Sequence, residues 1–449
     1  MATKISAGPS DGAEPTDRSR ALFARARAVM PSGYTRDLVA AQPHPQYADT
    51  AAGCWITDVD GNRRIDWVNN FASMIHGHGH PAILETIASQ AARVMNAVLP
   101  SEWEVRLAEL LVERIPSVDA VRFTNTGTEA NALVTKAARA FTGKTKMAKM
   151  EGGYHGQFDL LEASFQPGTE AGGDPARPVA VAHNPGTPQS LLDELVVLPL
   201  NDIANARAIL RAEADKLAGV ILDPWRLQGG MVRPHQDFIA MLREECTRLG
   251  ILLVFDEVVS LRTSHGGEQA RIGITPDLTT MGKIIGGGLP IGAVGGRRDI
   301  MAVFEMERGA GKVKHSGTFT ANPLSMATGY VAMEMLTPEV FDRLERQGDR
   351  LREGLARIHR DARLPGAITG DASFTTMMFT DRPCANYRDL ATAMSDGLAE
   401  RLQVSQGLLR DEGLFTLRGN FIGSTAMTDD DIDWTIAAAA RALPPLGRA

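Results

Sequence analysis

The sequence has few cysteines, no strongly basic stretch and no apolar run long enough to cross a membrane. Cys54, Cys246 and Cys384 are scattered and odd in number, so they predict neither disulfides nor a zinc site, and we expect a reducing, cytoplasmic environment. The 47 basic and 54 acidic residues give a net charge of −7, which argues against nucleic acid as a partner. Residues 1–20 lack the apolar core of an export signal, and we expect them to be disordered.

The composition is that of an ordinary soluble globular protein, with 44% hydrophobic and 22% charged residues in a chain of 449. This length allows two or three domains. Short apolar segments alternate with helical patterns in the first half of the chain, which predicts a doubly wound α/β fold around a mainly parallel sheet. The predicted strands lie at residues 121–124, 147–150, 195–200, 218–222 and 251–255.

A carboxylate ends one of these strands, and a lysine follows it in an apolar setting. Asp256 comes directly after residues 251–255, a run typical of a strand buried on both faces, and open α/β sheets bind ligands at such strand ends. Lys283 lies in the sequence MGKIIGGG, where little solvates an ammonium, so its pKa should fall and its amine should become nucleophilic. The pair would suit pyridoxal phosphate (PLP), which needs a lysine for its Schiff base and an acid beside its ring nitrogen. A buried structural ion pair would fit the same two residues.

A possible phosphate site follows the predicted strand at residues 121–124. The sequence TNTGTEANALV predicts a helix that begins at Gly127 and Thr128, and the free N–H groups of a helix N-terminus favour phosphate. A serine- or threonine-rich helix cap without a ligand would look similar. Nucleotide-binding motifs are excluded by spacing, since Ala138 replaces a required Walker A glycine and the glycines of residues 285–296 miss the G-x-G-x-x-G register.

Two segments carry a resemblance to a known family. FDEVVSLR, which contains Asp256, and PDLTTMGKIIGGGLPIGAVGGR, which contains Lys283, resemble the class III (ω-) aminotransferases of PLP fold type I. The resemblance extends from about residue 30 to the C-terminus. It is strongest to the branch that contains glutamate-1-semialdehyde aminomutase and the β-amino-acid (β-phenylalanine) aminotransferases.

The resemblance implies a domain organisation. Residues 66–325 would form a large PLP-binding domain with a seven-stranded-type sheet. Residues 21–65 and 326–449, from both ends of the chain, would together form a smaller α+β domain. The predicted hairpin in CWITDVDGNRRIDW would belong to the N-terminal part of this smaller domain.

The resemblance also assigns the cofactor contacts. Lys283 would form the Schiff base with PLP, and Asp256 would pair with its ring nitrogen. Gly127 and Thr128 would bind the phosphate.

Further residues are implied to contact the cofactor from its two faces and from a second subunit. Tyr154, in the sequence EGGYHG, would stack on the ring with His155 beside it, and Val258 would pack on the opposite face. Thr318, in GTFTANP, would reach the phosphate in the partner subunit. The resemblance therefore implies a homodimer with shared active sites.

Four residues are candidates for substrate binding. Arg36 and Arg418 match arginines that bind substrate or keto-acid carboxylates in the resembling families, a task for which the guanidinium fork is suited. Phe71 is expected to line the substrate pocket. Arg226 follows Trp225 where the family has smaller residues, so both are expected to reshape that pocket.

Three histidines, His76, His78 and His80, could suggest a metal ion. They alternate with glycines in HGHGH, which is more typical of a tight turn, and no further Cys/His cluster supports zinc. We therefore expect no metal.

The predicted function is a PLP-dependent transfer of an amino group from an amino acid to a keto acid by a ping-pong mechanism, with β-amino acids among the candidate donors. A glutamate-1-semialdehyde aminomutase would use the same chemistry within one molecule, although its family sequence differs where this chain has NNFA at residues 69–72. A decarboxylase or racemase of the same fold, or a protein that keeps the fold without catalysis, is a further alternative.

Overall fold

The computed structural model describes residues 18–37, 44–225, 232–306 and 313–447. Its strands are β1 (Ala48–Ala52), β2 (Trp55–Asp58), β3 (Arg63–Asp66), β4 (Ala120–Thr124), β5 (Lys146–Met150), β6 (Leu195–Leu198), β7 (Leu217–Leu222), β8 (Leu252–Asp256), β9 (Leu278–Gly282), β10 (Gly292–Gly296), β11 (Ala367–Thr369), β12 (Phe374–Met378), β13 (Leu414–Phe415) and β14 (Asn420–Ile422). Its helices are α1 (Arg18–Val29), α2 (Asn69–Ala72), α3 (Pro81–Arg93), α4 (Glu102–Arg114), α5 (Gly127–Thr142), α6 (Asp159–Glu162), α7 (Gln189–Leu192), α8 (Ile203–Ala212), α9 (Gln236–Leu249), α10 (Gly267–Ile272), α11 (Arg298–Met301), α12 (Pro323–Glu334), α13 (Pro338–Asp361), α14 (Tyr387–Ala393), α15 (Ala399–Asp411) and α16 (Asp429–Ala442).

The main sheet has seven strands in the order β4-β10-β9-β8-β7-β5-β6. Strand β10 is antiparallel to both of its neighbours, and the pairs from β9 to β6 are all parallel. The prediction of a mainly parallel α/β sheet is therefore confirmed. The parallel arrangement places the carboxyl ends of β5, β7, β8 and β9 at the same edge.

The strands of this sheet are apolar because both of their faces are covered. Every residue of β6, β7 and β8 is buried. Successive side chains enter different cores: Val220 and Leu222 pack with helices α8 and α9, whereas Ile221 packs with α5 on the other face. Continuous apolar strands thus indicate helices on both sides of the sheet.

Two smaller sheets are built from strands of the N- and C-terminal parts of the chain, and one of them combines strands from both ends. One has the order β1-β2-β3-β13, in which β13 pairs in parallel with β3 and brings Leu414 opposite Ile65. The other has the order β11-β12-β14. The predicted hairpin is present as the antiparallel pair β2–β3, and Asp58 closes its turn by accepting N–H bonds from Asp60 and Asn62.

Some predicted boundaries differ from the structure. Residues 18–20 belong to α1, so the predicted disordered segment was too long, and residues 1–17 lie outside the described part of the chain. Within the described ranges, no helix is both long and apolar enough to span a membrane.

Candidate active site

Three ionisable side chains lie at the carboxyl ends of neighbouring strands, at one edge of the main sheet. Asp223 comes directly after β7, Asp256 is the last residue of β8, and Lys283 comes directly after β9. Lys283 has a φ of +50°, a backbone conformation that is uncommon for residues other than glycine. The sheet therefore brings the predicted lysine and carboxylate together from separate segments.

Asp256 is held by a network of hydrogen bonds. His155 Nδ1 donates to its Oδ2 at 2.8 Å, and Asn131 Nδ2 donates to the same oxygen at 2.9 Å. The N–H of Val258 donates to Oδ1 at 3.1 Å. Thr280 donates to the amide oxygen of Asn131 at 2.7 Å, which fixes the orientation of that amide. The carboxylate is thus fixed in position before any ligand binds.

The same network determines the charges of the pair. Burial acts to raise the pKa of Asp256, but the hydrogen bonds that it accepts from His155, Val258 and Asn131 lower it below its ordinary value. Burial lowers the pKa of His155, and its bond to Asp256 opposes this only in part. We therefore assign a charged Asp256 and a neutral His155 that carries its proton on Nδ1.

Lys283 has the properties expected of a nucleophilic amine. Burial lowers the pKa of its ammonium, while the charges of Asp256 and Asp223 act in the opposite direction. Among the hydrogen bonds and ion pairs of the described residues, none is made by its Nζ. A lowered pKa increases the neutral fraction of the amine, which is the form that attacks a carbonyl.

Helix α5 begins beside this pair. Thr126 caps the helix by accepting the N–H of Glu129 at 3.0 Å, and Gly127 and Thr128 are its first residues, whose N–H groups have no acceptor within a helix. A Cβ on Gly127 would lie 3.0 Å from both methyl groups of Val258, so glycine keeps this corner open. The hydroxyl of Thr128 accepts the N–H of Gln157 at 3.3 Å.

Tyr154 and Val258 both lie near Asp256. The Tyr154 ring is half-exposed and packs 4.9 Å from the ring of Phe165 between centroids. Burial raises the pKa of its hydroxyl, and so do the charges of Asp256 and Glu162. Val258 follows Asp256 and packs against Gly127, at the start of α5.

These residues fit pyridoxal phosphate. A partly buried amine with a lowered pKa, a charged carboxylate fixed by three donors and a helix N-terminus converge at one sheet edge. They match the aldehyde, the ring nitrogen and the phosphate of that cofactor.

Residues 69–72, where Phe71 was predicted to line the substrate pocket, form a left-handed turn. All four residues of α2 have positive φ, from 47° at Asn70 to 73° at Ala72. Phe71 lies in this turn, and Arg36 Nη1 donates to Asn70 Oδ1 at 3.0 Å. Left-handed helical turns of L-residues cost about 1–2 kcal/mol per residue. Such a turn persists only where its surroundings hold it.

The holding contacts come from distant parts of the chain, and several were not predicted. Arg262 is fully buried, donates to the carbonyls of Ala72 and Gly423, and has no carboxylate partner among the described residues. Burial lowers the pKa of Arg262 to about 9. Trp225 and Phe374 pack on Ala72, with their ring centroids 4.2 Å apart.

Asn131 and Arg262 were missed by the sequence analysis, although both lie within the quoted motifs TNTGTEANALV and FDEVVSLR. Asn131 is four residues after Gly127 and therefore on the same face of α5, a spacing that could have identified it. No sequence signal separates Arg262 from a surface arginine.

Other predicted residues are exposed in the single chain or lie outside the described residues. Arg36 and Thr318 are exposed, and Arg418 lies exposed in the turn between β13 and β14, where its N–H donates to Gln406 at 3.4 Å. Among the described residues, no side-chain contact joins Arg418 to the site. Arg226 lies outside the described residues.

Comparisons with known proteins agree with this geometry. Residues 39–431 match the family model Aminotransferase class-III. The chain is 37% identical over 435 residues to glutamate-1-semialdehyde 2,1-aminomutase 2 of Brevibacillus brevis, covering 95% of this chain and 98% of that protein. An omega-transaminase from Sphaerobacter thermophilus superposes with a TM-score of 0.91 at 42% identity, covering 97% of this chain and 99% of that one. A β-phenylalanine aminotransferase from Variovorax paradoxus gives 0.84 at 32% identity, covering 97% and 95%.

Proposed function

Since this chain belongs to the class III aminotransferase family, we propose that it transfers the amino group of an amino acid, with β-amino acids among its donors, to a keto acid. It is a PLP-dependent enzyme. The observation that carries the proposal is the partly buried amine of Lys283 in the field of Asp256, which is itself fixed by His155 and Asn131.

An amine, a carboxylate and a helix N-terminus would hold three different parts of the cofactor. When bound, pyridoxal phosphate supplies an aldehyde for the amino group and a ring that accepts the electrons of a substrate carbanion. Lys283 would hold it through Nζ, and Asp256 would keep the ring nitrogen protonated. The N-terminus of α5 at Gly127 and Thr128 would bind the phosphate.

Lys283 would also move the proton. With the substrate amine bound in its place, its free Nζ would take the proton from the carbon that carries the amine and would deliver it to the cofactor carbon that receives the amino group. The lowered pKa of this amine supports the role, because a general base must be neutral near the working pH. The same amine serves both half-reactions, and a ping-pong pattern follows.

The ring contacts would come from Tyr154 on one face and Val258 on the other, with His155 behind Asp256. Stacking on an aromatic face holds a flat ring without fixing its charge. The contact of Tyr154 with Phe165, at 4.9 Å between centroids, supports a fixed position for the stacking ring.

The donor would be recognised through its carboxylate. Arg36 is tethered to Asn70 at 3.0 Å in the left-handed turn that also contains Phe71, which supports a joint role in the substrate pocket. The similarity to a β-phenylalanine aminotransferase supports β-amino-acid donors. Arg418 would bind the keto-acid carboxylate, and Arg226 would contribute to the pocket.

We propose a homodimer with shared sites. Four exposed apolar side chains, Met95, Val98, Leu99 and Phe319, form what we call the apolar surface, and Val98 is 103% exposed in the single chain. Asn96 donates to the carbonyl of Thr318 at 3.4 Å, so this surface is continuous with the residue that would reach the second phosphate. Burial of such a surface against a second copy would be favourable.

Two further proposals concern organisation and location. Residues 66–325 would form the large domain, and residues 21–65 with 326–449 would form the small domain, since the sheet β1-β2-β3-β13 pairs strands from both ends of the chain. The three free cysteines support a cytoplasmic location.

The alternative is an aminomutase that moves the amino group between carbons 2 and 1 of glutamate-1-semialdehyde. The 37% identity to a protein of that name favours it. Both functions would use the same lysine and carboxylate. They differ in whether the amino group would pass to a second molecule after the oxo product is released or would return to the molecule that supplied it.

The experiment is to supply single donors to the purified PLP-loaded protein, namely β-phenylalanine, alanine, glutamate and glutamate-1-semialdehyde. We expect one equivalent of oxo product per site from an amino-acid donor without any acceptor present. Rearranged glutamate-1-semialdehyde, with no oxo product from the other donors, would instead establish the aminomutase. Release of carbon dioxide or of inverted donor would reject both.

A further inference from the structure

Arg388 in α14 has every donor of its guanidinium in use, although it lies far along the chain from the cofactor motifs. Its Nε and Nη2 donate to the carboxylate of Glu151 at 2.9–3.2 Å. Its Nη1 donates to the carbonyl of Gly173 at 2.6 Å and that of Thr169 at 3.4 Å, and Nη2 donates to Gly172 at 3.0 Å. The side chains of Arg388 and Glu151 are 14% and 6% exposed. One buried fork therefore joins three segments of the chain.

Tyr387, the preceding residue, adds two contacts to the same segments. Its hydroxyl accepts the N–H of Gly168 at 3.1 Å. Its ring lies against Gly152, where a Cβ would come within 2.7 Å of it and where φ is +80°. Tyr387 and Arg388 together form what we call the clamp, which connects the small domain to residues 151–152 and 168–173.

The clamped segments lead directly to the ring-stacking residue. Glu151 and Gly152 begin the turn that continues into Tyr154 and His155. Gly152 donates its N–H to the carbonyl of Ser164 at 2.8 Å, and Phe165 packs on the Tyr154 ring. The clamp thus fixes both the base of Tyr154 and the loop against which Tyr154 rests.

We propose that Arg388 is a positioning residue for the reaction: by joining Glu151 to the carbonyls of residues 169, 172 and 173, it couples the small domain to Tyr154 and keeps that ring in place over the cofactor. The proposal rests on the proposed stacking role of Tyr154. Supporting residues must hold such a binding group within about 0.5 Å of its productive position. A lysine could neutralise Glu151 but could not form the same planar fork.

The test uses the PLP-loaded protein and three readouts, of which two need no substrate. They are deuterium exchange in the peptide that covers residues 165–174, the rate of PLP release, and kcat and KM for the best donor. Arg388→Gln alone would leave Glu151 buried and unpaired, so the main variant is the double change Arg388→Gln with Glu151→Gln. Arg388→Lys is the conservative variant, and Tyr387→Phe removes only the hydroxyl.

A matched control is Arg382→Gln, because Arg382 forms an exposed ion pair with Asp396 at 2.6 Å in the same domain. We expect the double variant to remain folded by circular dichroism, with at least about tenfold faster exchange in the loop and at least about tenfold faster PLP release. We expect kcat/KM to fall by a similar factor, and Arg388→Lys to recover part of each loss. Arg382→Gln should match the wild type.

Faster loop exchange with PLP release and kcat/KM within twofold of the wild type would overturn the proposal, since Arg388 would then stabilise the loop alone. Unchanged loop exchange would overturn it as well. If the wild-type protein binds PLP but transfers no amino group, the proposed function fails, and the rates of exchange and PLP release still decide the role of Arg388.

Discussion

The change Asp256→Asn separates the charge of this residue from its shape. In the wild type, Oδ2 accepts from His155 and Asn131, and Oδ1 accepts from the N–H of Val258. Asparagine offers one oxygen and one NH₂ group at these positions. Either orientation of the amide therefore points the NH₂ group at a buried donor.

The stability cost follows from that geometry. A buried donor without an acceptor costs about 1–3 kcal/mol, and the remaining bonds lose their charged acceptor, so we expect the free energy of unfolding to fall by about 2–4 kcal/mol at pH 7. The lowered pKa of Asp256 means that the folded state binds this proton less tightly than the unfolded state. The carboxylate therefore stabilises the fold above about pH 4, and this contribution is lost as the pH falls further. The deficit of the variant should shrink below that pH.

The catalytic cost is larger. Unit charges about 4 Å apart interact by about 4 kcal/mol at an effective dielectric constant of about 20, which corresponds to about three orders of magnitude in rate. We expect kcat of Asp256→Asn to fall at least about hundredfold in a single-donor half-reaction, while PLP remains bound through Lys283.

The control is Asp277→Asn, at the opposite edge of the sheet. Asp277 is also buried, and it pairs with Arg243 at 3.0 Å and Arg297 at 2.8 Å. It should lose stability while kcat stays within about twofold of the wild type. If Asp256→Asn loses stability but keeps kcat within tenfold, the proposed role of Asp256 is refuted and the residue is structural.

Three further predictions follow from the structure. Lys283→Ala should abolish oxo-product formation, and Lys283→Arg should not restore it, since a guanidinium cannot act as the base; measurable turnover in either variant would contradict the assignment. Lys149 is buried against the carbonyls of Leu161 and Ala163, and burial lowers its pKa to about 7. Between about pH 7 and 10 its unfolded state binds more protons, so the unfolding free energy of the wild type relative to Lys149→Met should rise with pH by up to about 1.4 kcal/mol per unit; a flat difference in urea titrations would refute this. Leu99→Asp, in the apolar surface, should shift the dimer to monomer in sedimentation analysis, whereas Val404→Asp, exposed on α15, should not; equal behaviour of the two variants would exclude this surface.

The fold was predictable because its signals are local. The apolar strands β7 and β8 are bounded by the helical patterns of α8 and α9, and a strand buried on both faces has few other places to lie than a doubly wound sheet. The helix at Gly127 was predictable for the same reason, since Thr126, directly before it, caps it by accepting the N–H of Glu129. The family resemblance connected these elements to a known architecture.

The contacts that complete the site were not predictable, because they join residues far apart in the sequence. Arg388 and Glu151 are separated by 237 positions, and no local pattern identifies them as partners. The left-handed turn of α2 contains no glycine, so local propensity argues against it. It exists because Arg262 and the packing of Trp225 hold it from outside.

The most direct test of the central claim is the visible absorption of the PLP-loaded protein during titration with β-phenylalanine or another single donor. We expect the absorption band of the lysine-bound cofactor to disappear with one equivalent of oxo product per site, and to return when a keto acid is added. A cofactor band that persists with every amino-acid donor, in protein that binds PLP at Lys283, would contradict transamination.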